Sequence, residues 1–282
     1  MKAIITGVAA VWLAACSSPE QLSEAVGVDP AKANAGAGET AQEALERRLA
    51  VGAKATEFKD EEKSGEVTRD FSYGWPAQVS AVSALAEIMA ARRDNLLAKQ
   101  KAEWKQSLAE FAGMDCVTCV TRSYSKGWKV AADTPRFLAL RASIATYSGG
   151  AHGNSFFDSL VWDREAEQAL APIELFSSEA ALDEALRNAY CAGLQAERME
   201  RISPGLVRGT DPLESCPSLG ELVLVLSSST GSKLDQLDLL AAPYIAGSYA
   251  EGAYEVALPV TDAILAAVKP EYRAAFALGE VN

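Results

Sequence analysis

The chain has 282 residues, 49% of them hydrophobic, which is enough material for a sizeable buried core. Its formal net charge is −12, and no cluster of lysine and arginine could follow a phosphate backbone, so we do not expect nucleic acid as a partner. The single histidine, His152, excludes zinc sites with two or three histidine ligands, and we expect no metal or cofactor.

The first sixteen residues have the pattern of a bacterial lipoprotein signal. Lys2 precedes an apolar run from Ala3 to Leu13, which suits a signal peptide and is shorter than the roughly 20 residues of a transmembrane helix. The run ends in Leu-Ala-Ala-Cys, whose last residue, Cys16, offers a thiol for lipid attachment. We predict a signal peptide over residues 1–15 and lipidation of Cys16; the alternative is a plain secretory signal that ends near a cysteine.

The predicted anchor places the protein in the cell envelope. Several acyl chains hold a protein on a bilayer without spanning it. Ser17, rather than aspartate, after the lipidated cysteine is typical of export to the outer membrane of a Gram-negative bacterium, with the protein on the periplasmic side. Removing residues 1–15 takes away one positive charge, Lys2, and leaves −13. That charge favours basic partners, although solubility alone also explains it.

The rest of the chain divides by composition. Residues 16–55 are rich in alanine, glycine and glutamate, which predicts a flexible tether. Residues 56–282 predict an α+β envelope domain, or two small subdomains divided near residues 200–218.

The first half of this domain combines one strand, one long helix and one hairpin. Glu66–Trp75 alternates as a strand does, and Pro76 ends it. Apolar residues spaced by three or four predict a long amphipathic helix from Val79 to about Ala112. Val117–Val130 predicts a hairpin that turns at Ser125-Lys126-Gly127.

The second half adds further strands and a second helix. The apolar patterns predict strands at Phe137–Tyr147, Phe156–Trp162 and Glu221–Leu226, a helix at Ser178–Met199, two strands around a glycine-rich bend within Leu237–Leu258, and a short helix at Val260–Val268. The predicted strands more often follow one another as hairpins than alternate regularly with helices. The pattern therefore predicts the α+β class, with an antiparallel sheet on which the long amphipathic helix and the second helix pack.

Four cysteines remain after Cys16: Cys116, Cys119, Cys191 and Cys216. Three pairings are possible in an oxidising compartment. We predict Cys116–Cys119 and Cys191–Cys216. The first pair could be redox-active, but its flanks resemble a strand rather than the helix start that lowers a thiol pKa, so we interpret it as structural.

Two aromatic and glycine-rich segments supply the candidate ligand-facing residues. His152 and Asn154 lie among Gly149, Gly150 and Gly153, either presented to a ligand or held in a tight turn by a loop carbonyl. Three tyrosines recur every five residues and could line a groove or pack on a sheet: Tyr244, Tyr249 and Tyr254.

No catalytic constellation emerges from the sequence. A Ser-His-Asp triad could use only His152. Acidic residues are plentiful, but spacing along the chain cannot locate the carboxyl pair of a glycosidase. We therefore assign no catalytic residue and expect a binding protein rather than an enzyme.

Two segments resemble a known pair of domains. They are Tyr147–Asn154, followed by Leu160–Asp163 and Ile173–Phe176, and Pro243–Pro259. Both resemble the paired domains of unknown function shared by the lysozyme-sensing anti-sigma factor V ectodomain and the non-catalytic part of peptidoglycan deacetylase C. The resemblance covers roughly residues 60–278 and implies an extracytoplasmic α+β module without catalysis, which in the anti-sigma factor is a receptor for lysozyme. Signalling and deacetylation are not carried over.

These features predict a lipid-anchored periplasmic binding module of the cell envelope. Its expected ligand is a basic protein such as lysozyme or a cell-wall glycan such as peptidoglycan. A carboxylate-based cell-wall enzyme, with His152 as acid or base, and a structural envelope lipoprotein without a ligand are the alternatives.

The lipid anchor is tested by a Cys16→Ser variant. Without the thiol no acyl chain can be attached, so we expect the variant to incorporate no labelled palmitate while the unaltered protein is labelled. An unlabelled wild-type protein, or a variant that stays membrane-bound to the same extent, would contradict the predicted anchor.

Overall fold

A computed structural model describes residues 52–201 and 215–280. Its larger sheet has six strands in the spatial order in which they occur along the chain. All neighbours are antiparallel except β2 and β3, which are parallel. The strands are β1 (Thr56–Ser64), β2 (Val67–Trp75), β3 (Arg122–Asp133), β4 (Phe137–Tyr147), β5 (Asn154–Asp163) and β6 (Gln168–Leu170).

The parallel pair follows from the long helix between its strands. Helix α2 (Ser83–Glu110) carries the chain back along the sheet, so β3 starts at the same end as β2. A short helix, α1 (Ala77–Ser80), begins directly after Pro76. The predicted long helix is therefore confirmed, with a break at residues 81–82 that the periodicity did not indicate.

A smaller antiparallel sheet and two helices complete the fold. Its strands are β7 (Val223–Ser227), β8 (Gln236–Ala241) and β9 (Tyr254–Pro259). The second long helix, α4 (Glu179–Arg201), packs on β9 and on the short helix α5 (Asp262–Ala267). The α+β class is confirmed, and the second helix lies on a sheet of its own rather than on the sheet that carries α2.

Strand β4 contributes to two separate cores because both of its faces are covered. Leu138 and Leu140 point into the core under α2, which also contains Trp128 and Trp162. The alternate residues Phe137 and Ala139 belong to the core that β7–β9 and α4 share. This arrangement explains the nearly continuous apolar run at the start of β4.

The predicted hairpin at Val117–Val130 is wrong. Val117–Val120 forms a helical turn, α3, and Arg122–Asp133 runs as one strand through the expected turn. β3 has a strand partner on both sides, and Gly127 pairs with Gly74 and Ser143 across the sheet. The backbone hydrogen bonds that β3 forms with β2 and with β4 outweigh the preference of Ser125-Lys126-Gly127 for a turn.

Both predicted disulfides are confirmed. Cys191 of α4 is bonded to Cys216 in the following loop, and Cys116 is bonded to Cys119 across α3. Cys116–Cys119 therefore lies on a helical turn, whereas its flanking residues had predicted a strand. None of the described helices combines the length and the apolar character needed to cross a membrane.

Several predictions concern residues outside the described ranges. These are the signal peptide at residues 1–15, the lipidation site Cys16, the tether up to residue 51, and most of the proposed subdomain boundary near residues 200–218.

The two disulfides should contribute unequally to stability. Cys191–Cys216 closes a loop with a sequence separation of 25, against 3 for Cys116–Cys119. Loop-closure entropy predicts a loss of about 3 kcal/mol for replacing the longer bridge with two alanines and about 2 kcal/mol for the shorter one. Urea unfolding of both double variants measures the difference. Equal losses, or a larger loss for Cys116/Cys119, would contradict this prediction.

Candidate binding site

Three of the five predicted ligand-facing side chains meet at one surface. We call this surface the aromatic platform and define it as His152, Tyr249 and Tyr244. The rings of His152 and Tyr249 are stacked, with centroids 3.9 Å apart and an interplanar angle of 21°. The ring of Tyr244 continues the row, 5.6 Å from that of Tyr249 and tilted by 31°. The platform brings together residues almost one hundred positions apart.

The glycine-rich turn between β4 and β5 presents His152. Gly149 and Gly150 have φ angles of +99° and +91°, which only glycine adopts without strain. A Cβ at Gly153 would lie 2.7 Å from the carbonyl oxygen of Thr146, so no side chain fits there. Tyr147 Oη donates a hydrogen bond of 2.9 Å to the carbonyl of Gly150 and closes the turn.

One backbone carbonyl ties the two halves of the platform together. Tyr249 Oη donates to the oxygen of Gly153 at 2.9 Å. His152 Nδ1 lies 2.9 Å from the same oxygen, which it can approach as a donor when Nδ1 carries the proton. The histidine thus satisfies a loop carbonyl, as one of the two sequence interpretations expected, while its ring remains exposed at the surface.

Tyr244 is held in a conformation that tyrosine normally avoids. Its φ is +74°, in the left-handed region, and its side chain is 49% exposed. Such a backbone costs a non-glycine residue about 1–2 kcal/mol, and burial recovers little of this for a half-exposed ring. The turn is fixed locally, because the Tyr244 N–H donates to the carbonyl of Gly247 at 3.1 Å. Strain of this kind concentrates where a side chain must be presented.

Two arginines of α4, Arg198 and Arg201, support the tyrosine loop, the segment between β8 and β9 that carries Tyr244 and Tyr249. Sequence reasoning missed both arginines. Arg198 is 4% exposed, and its Nε donates to the carbonyl of Ala246 at 3.0 Å. The Arg201 guanidinium lies 4.3 Å from the ring centroid of Tyr254. A signal existed for Arg198: it continues the four-residue spacing of the buried stripe Leu182, Leu186, Tyr190 and Leu194. An arginine on that stripe must find acceptors inside the protein.

The other two candidates lie apart from the platform. Tyr254 is 1% exposed and donates to Glu251 Oε2 at 2.7 Å. Burial, reinforced by that carboxylate, raises the pKa of Tyr254 to about 12, so the hydroxyl remains a donor at neutral pH. Asn154 is the first residue of β5, half-buried and paired with Thr146. The packing interpretation therefore fits Tyr254, whereas Tyr244 is exposed and Tyr249 is half-buried at the surface.

The platform is suited to binding flat apolar surfaces. It offers ring faces and edges beside backbone carbonyls, a combination that gives contact area at a low entropic cost. In residues 52–201 and 215–280, no three His, Cys, Asp or Glu side chains come together as a metal site would require.

The stacking can be checked by NMR because His152 is the only histidine. In protein carrying ¹³C-labelled histidine, purified through a histidine-free tag, the Hε1 signal should be displaced by the ring current of Tyr249. A Tyr249→Leu variant removes the ring, and the signal should move to the position found in unfolded protein. Tyr272→Phe, a change outside both the platform and the glycine-rich turn, is the control. An unmoved signal in Tyr249→Leu would show that the rings are not stacked.

Comparison with known proteins identifies the fold. No protein-family model matches the sequence, and no curated protein matches it. The structure is similar to that of a DUF3298 family member from Bacteroides fragilis, with 15% identity, a TM-score of 0.51, and coverage of 74% of this chain and 90% of that one. It is also similar to a DUF3298 family protein from Pseudomonas aeruginosa, with 15% identity, a TM-score of 0.52, and coverage of 77% and 95%.

At this identity the likeness concerns the fold alone. The protein has the fold of the DUF3298 proteins, a domain of unknown function, as the coarser part of the sequence resemblance predicted. Neither similarity links the chain to anti-sigma factor V or to the deacetylase.

Proposed function

We propose that this protein is a lipid-anchored binding module of the cell envelope that takes a cell-wall glycan on its aromatic platform. The observation that carries the proposal is the presentation of Tyr244, a strained and half-exposed ring aligned with Tyr249 and His152. A half-exposed ring recovers little of this strain through packing, so we infer that ligand binding is the reason for its presentation.

The chemistry of the platform favours a sugar over a charged group. Aromatic faces bind the apolar C–H face of a sugar ring, which a small charged group does not offer. The row of three aromatic rings is longer than a single sugar ring, so it suits a chain of sugars. Soluble peptidoglycan strands have both the apolar sugar faces and the chain of sugars.

The envelope location is supported by the cysteine chemistry. Both pairs of cysteines are closed as disulfides, and such bonds persist in oxidising compartments. The lipoprotein signal at residues 1–16 agrees with that compartment. We place the protein on the periplasmic side, anchored through Cys16 to the outer membrane.

The carboxylate-based enzyme gains no support from the geometry. His152 hydrogen-bonds the backbone oxygen of Gly153, and within the described ranges no carboxylate forms an ion pair or hydrogen bond with it. No carboxylate of the described residues therefore stands beside His152 to act as the second acid–base group of such an enzyme.

A basic protein such as lysozyme is a second candidate ligand. The net charge of −12 favours cationic partners, and the sequence resemblance to the lysozyme-sensing ectodomain points to the same class. Lysozyme binding should weaken steeply between low and moderate salt, whereas glycan binding should hardly change. Titrating both ligands at two salt concentrations separates the two candidates.

A Tyr244→Gly variant tests the glycan site directly. Glycine relieves the left-handed strain but adds freedom to the unfolded chain, so we expect stability between unchanged and about 1 kcal/mol higher. Loss of the ring should weaken binding of soluble peptidoglycan strands about tenfold or more, measured by calorimetry and by the Hε1 signal of His152.

The matched control is Phe156→Ser, which removes another exposed aromatic ring, 46% exposed, outside the platform. It should leave glycan affinity unchanged. If Tyr244→Gly binds glycan like the unaltered protein, or if no glycan binds up to about 1 mM, the proposal is wrong.

A further inference from the structure

The larger sheet has an open edge beside the platform. Strand β6 covers only Val161–Asp163 of β5, so the stretch Asn154–Leu160, which we call the open edge, has no strand partner on that side among the described residues. β6 ends at Leu170, and Pro172 starts a 3₁₀ turn (Pro172–Leu175) that leads the chain away. Proline fits the first turn of a helix but cannot donate to a ladder, so it limits further pairing.

The alternation of residues along β5 shows which backbone N–H and C=O groups face β4 and which face outward. Arg164 N–H donates to the carbonyl of Arg136 on the β4 side, so even-numbered residues of β5 face β4. Ser159 N–H instead donates to the carboxylate of Asp158 at 2.8 Å. The backbone groups of Ser155, Phe157 and Ser159 therefore point outward, where an added strand would meet them.

The two outer edges of the sheet differ sharply in charge. β1 carries six charged side chains, the usual protection of an edge strand against pairing: Glu57, Lys59, Asp60, Glu61, Glu62 and Lys63. The open edge carries one, Asp158, and Lys126 Nζ pairs with it at 2.5 Å. Phe156, 46% exposed, adds apolar surface. The edge at β5 thus lacks the protection that the edge at β1 has.

A pocket of about 310 Å³ lies where the open edge meets the smaller sheet. Its walls include Pro172, Ile173, Leu219 and Leu224, and the carboxylate of Glu179 lines it. Glu179 is exposed, and no lysine or arginine in the described ranges forms an ion pair with it. Asp158 also lines the pocket, but its carboxylate is paired with Lys126, which leaves Glu179 as the carboxylate for a ligand. Apolar walls beside such a carboxylate suit a side chain that has an aliphatic stem and a cationic end.

We propose that the open edge binds an extended basic peptide segment of a partner protein by strand addition, with a lysine or arginine of the segment placed in the pocket beside Glu179. Main-chain hydrogen bonds to Ser155 and Phe157 and to the carbonyl of Ser159 supply the affinity, and the pocket supplies the specificity. A second copy of this chain is a poorer occupant, because each copy carries a net charge of −12. The site does not depend on the proposed glycan function.

The test uses the full-length protein in detergent and a ten-residue peptide of alternating threonine and valine with one central lysine. We expect calorimetry to detect binding below about 1 mM. The same peptide with alternate amides N-methylated, which cannot pair as a strand, should not bind. Replacing its lysine with glutamate should weaken binding at least tenfold.

Two variants of the protein locate the site. Ser155→Pro removes one outward donor while leaving the β4 ladder intact and should abolish binding; Ser155→Ala, which keeps the donor, should not. Glu179→Gln should weaken binding about tenfold, whereas Glu184→Gln, an exposed carboxylate on the same helix, should have no effect. Thermal melts identify any variant that fails to fold, and Glu179→Gln tests the pocket without altering the strand.

Three results would overturn the proposal. They are equal binding of the N-methylated peptide, no peptide binding up to about 1 mM, and a concentration-dependent dimer in sedimentation that Ser155→Pro abolishes, since a second copy would then occupy the edge. Failure of the glycan proposal leaves these outcomes unaffected, because Tyr244→Gly should bind the peptide normally.

Discussion

Burial of β4 on both faces is the constraint on which the rest of the structure depends. Phe137–Leu140 is apolar at every position, so neither face of this strand can be left in water. Helix α2 covers one face, and the smaller sheet with α4 covers the other. The two-sided burial holds the C-terminal elements against the middle of the larger sheet.

The platform is a product of this contact. The glycine-rich turn belongs to the larger sheet, and the tyrosine loop belongs to the smaller one. Their meeting is secured by the hydrogen bond from Tyr249 to Gly153 and by the ion pair between Arg141 and Glu255 at 2.8 Å. Because Arg198 holds the back of the loop from α4, the presentation of Tyr244 depends on elements from three parts of the chain.

The proposed glycan and peptide sites are neighbours with different chemistry. In these proposals the platform would bind through aromatic rings, and the open edge would bind through backbone groups and the carboxylate of Glu179. Both begin at Gly153–Asn154, where the turn enters β5. A cell-wall strand and a protein segment could therefore lie side by side on this surface, an arrangement that would suit the proposed lipid anchor.

Local patterns determined much of the fold. The period of the apolar residues sufficed for α2, α4, β4 and β5. The sequence left three cysteine pairings possible, and the predicted one is the one that the structure shows. The hairpin at Val117–Val130 was wrong because pairing on both sides of β3 is not visible in a local window. Strand β1, rich in charge, also escaped detection, since an edge strand buries little.

The sequence by itself determined the predicted compartment, the acidic charge, the fold class and the identity of the aromatic and glycine-rich segments. Only the tertiary structure decided which candidates meet: His152 with Tyr249 and Tyr244, while Tyr254 turns inward to Glu251. The same holds for the open edge, whose exposure depends on how far β6 extends. Local periodicity records which face of an element is buried, whereas long-range juxtaposition depends on which elements cover one another.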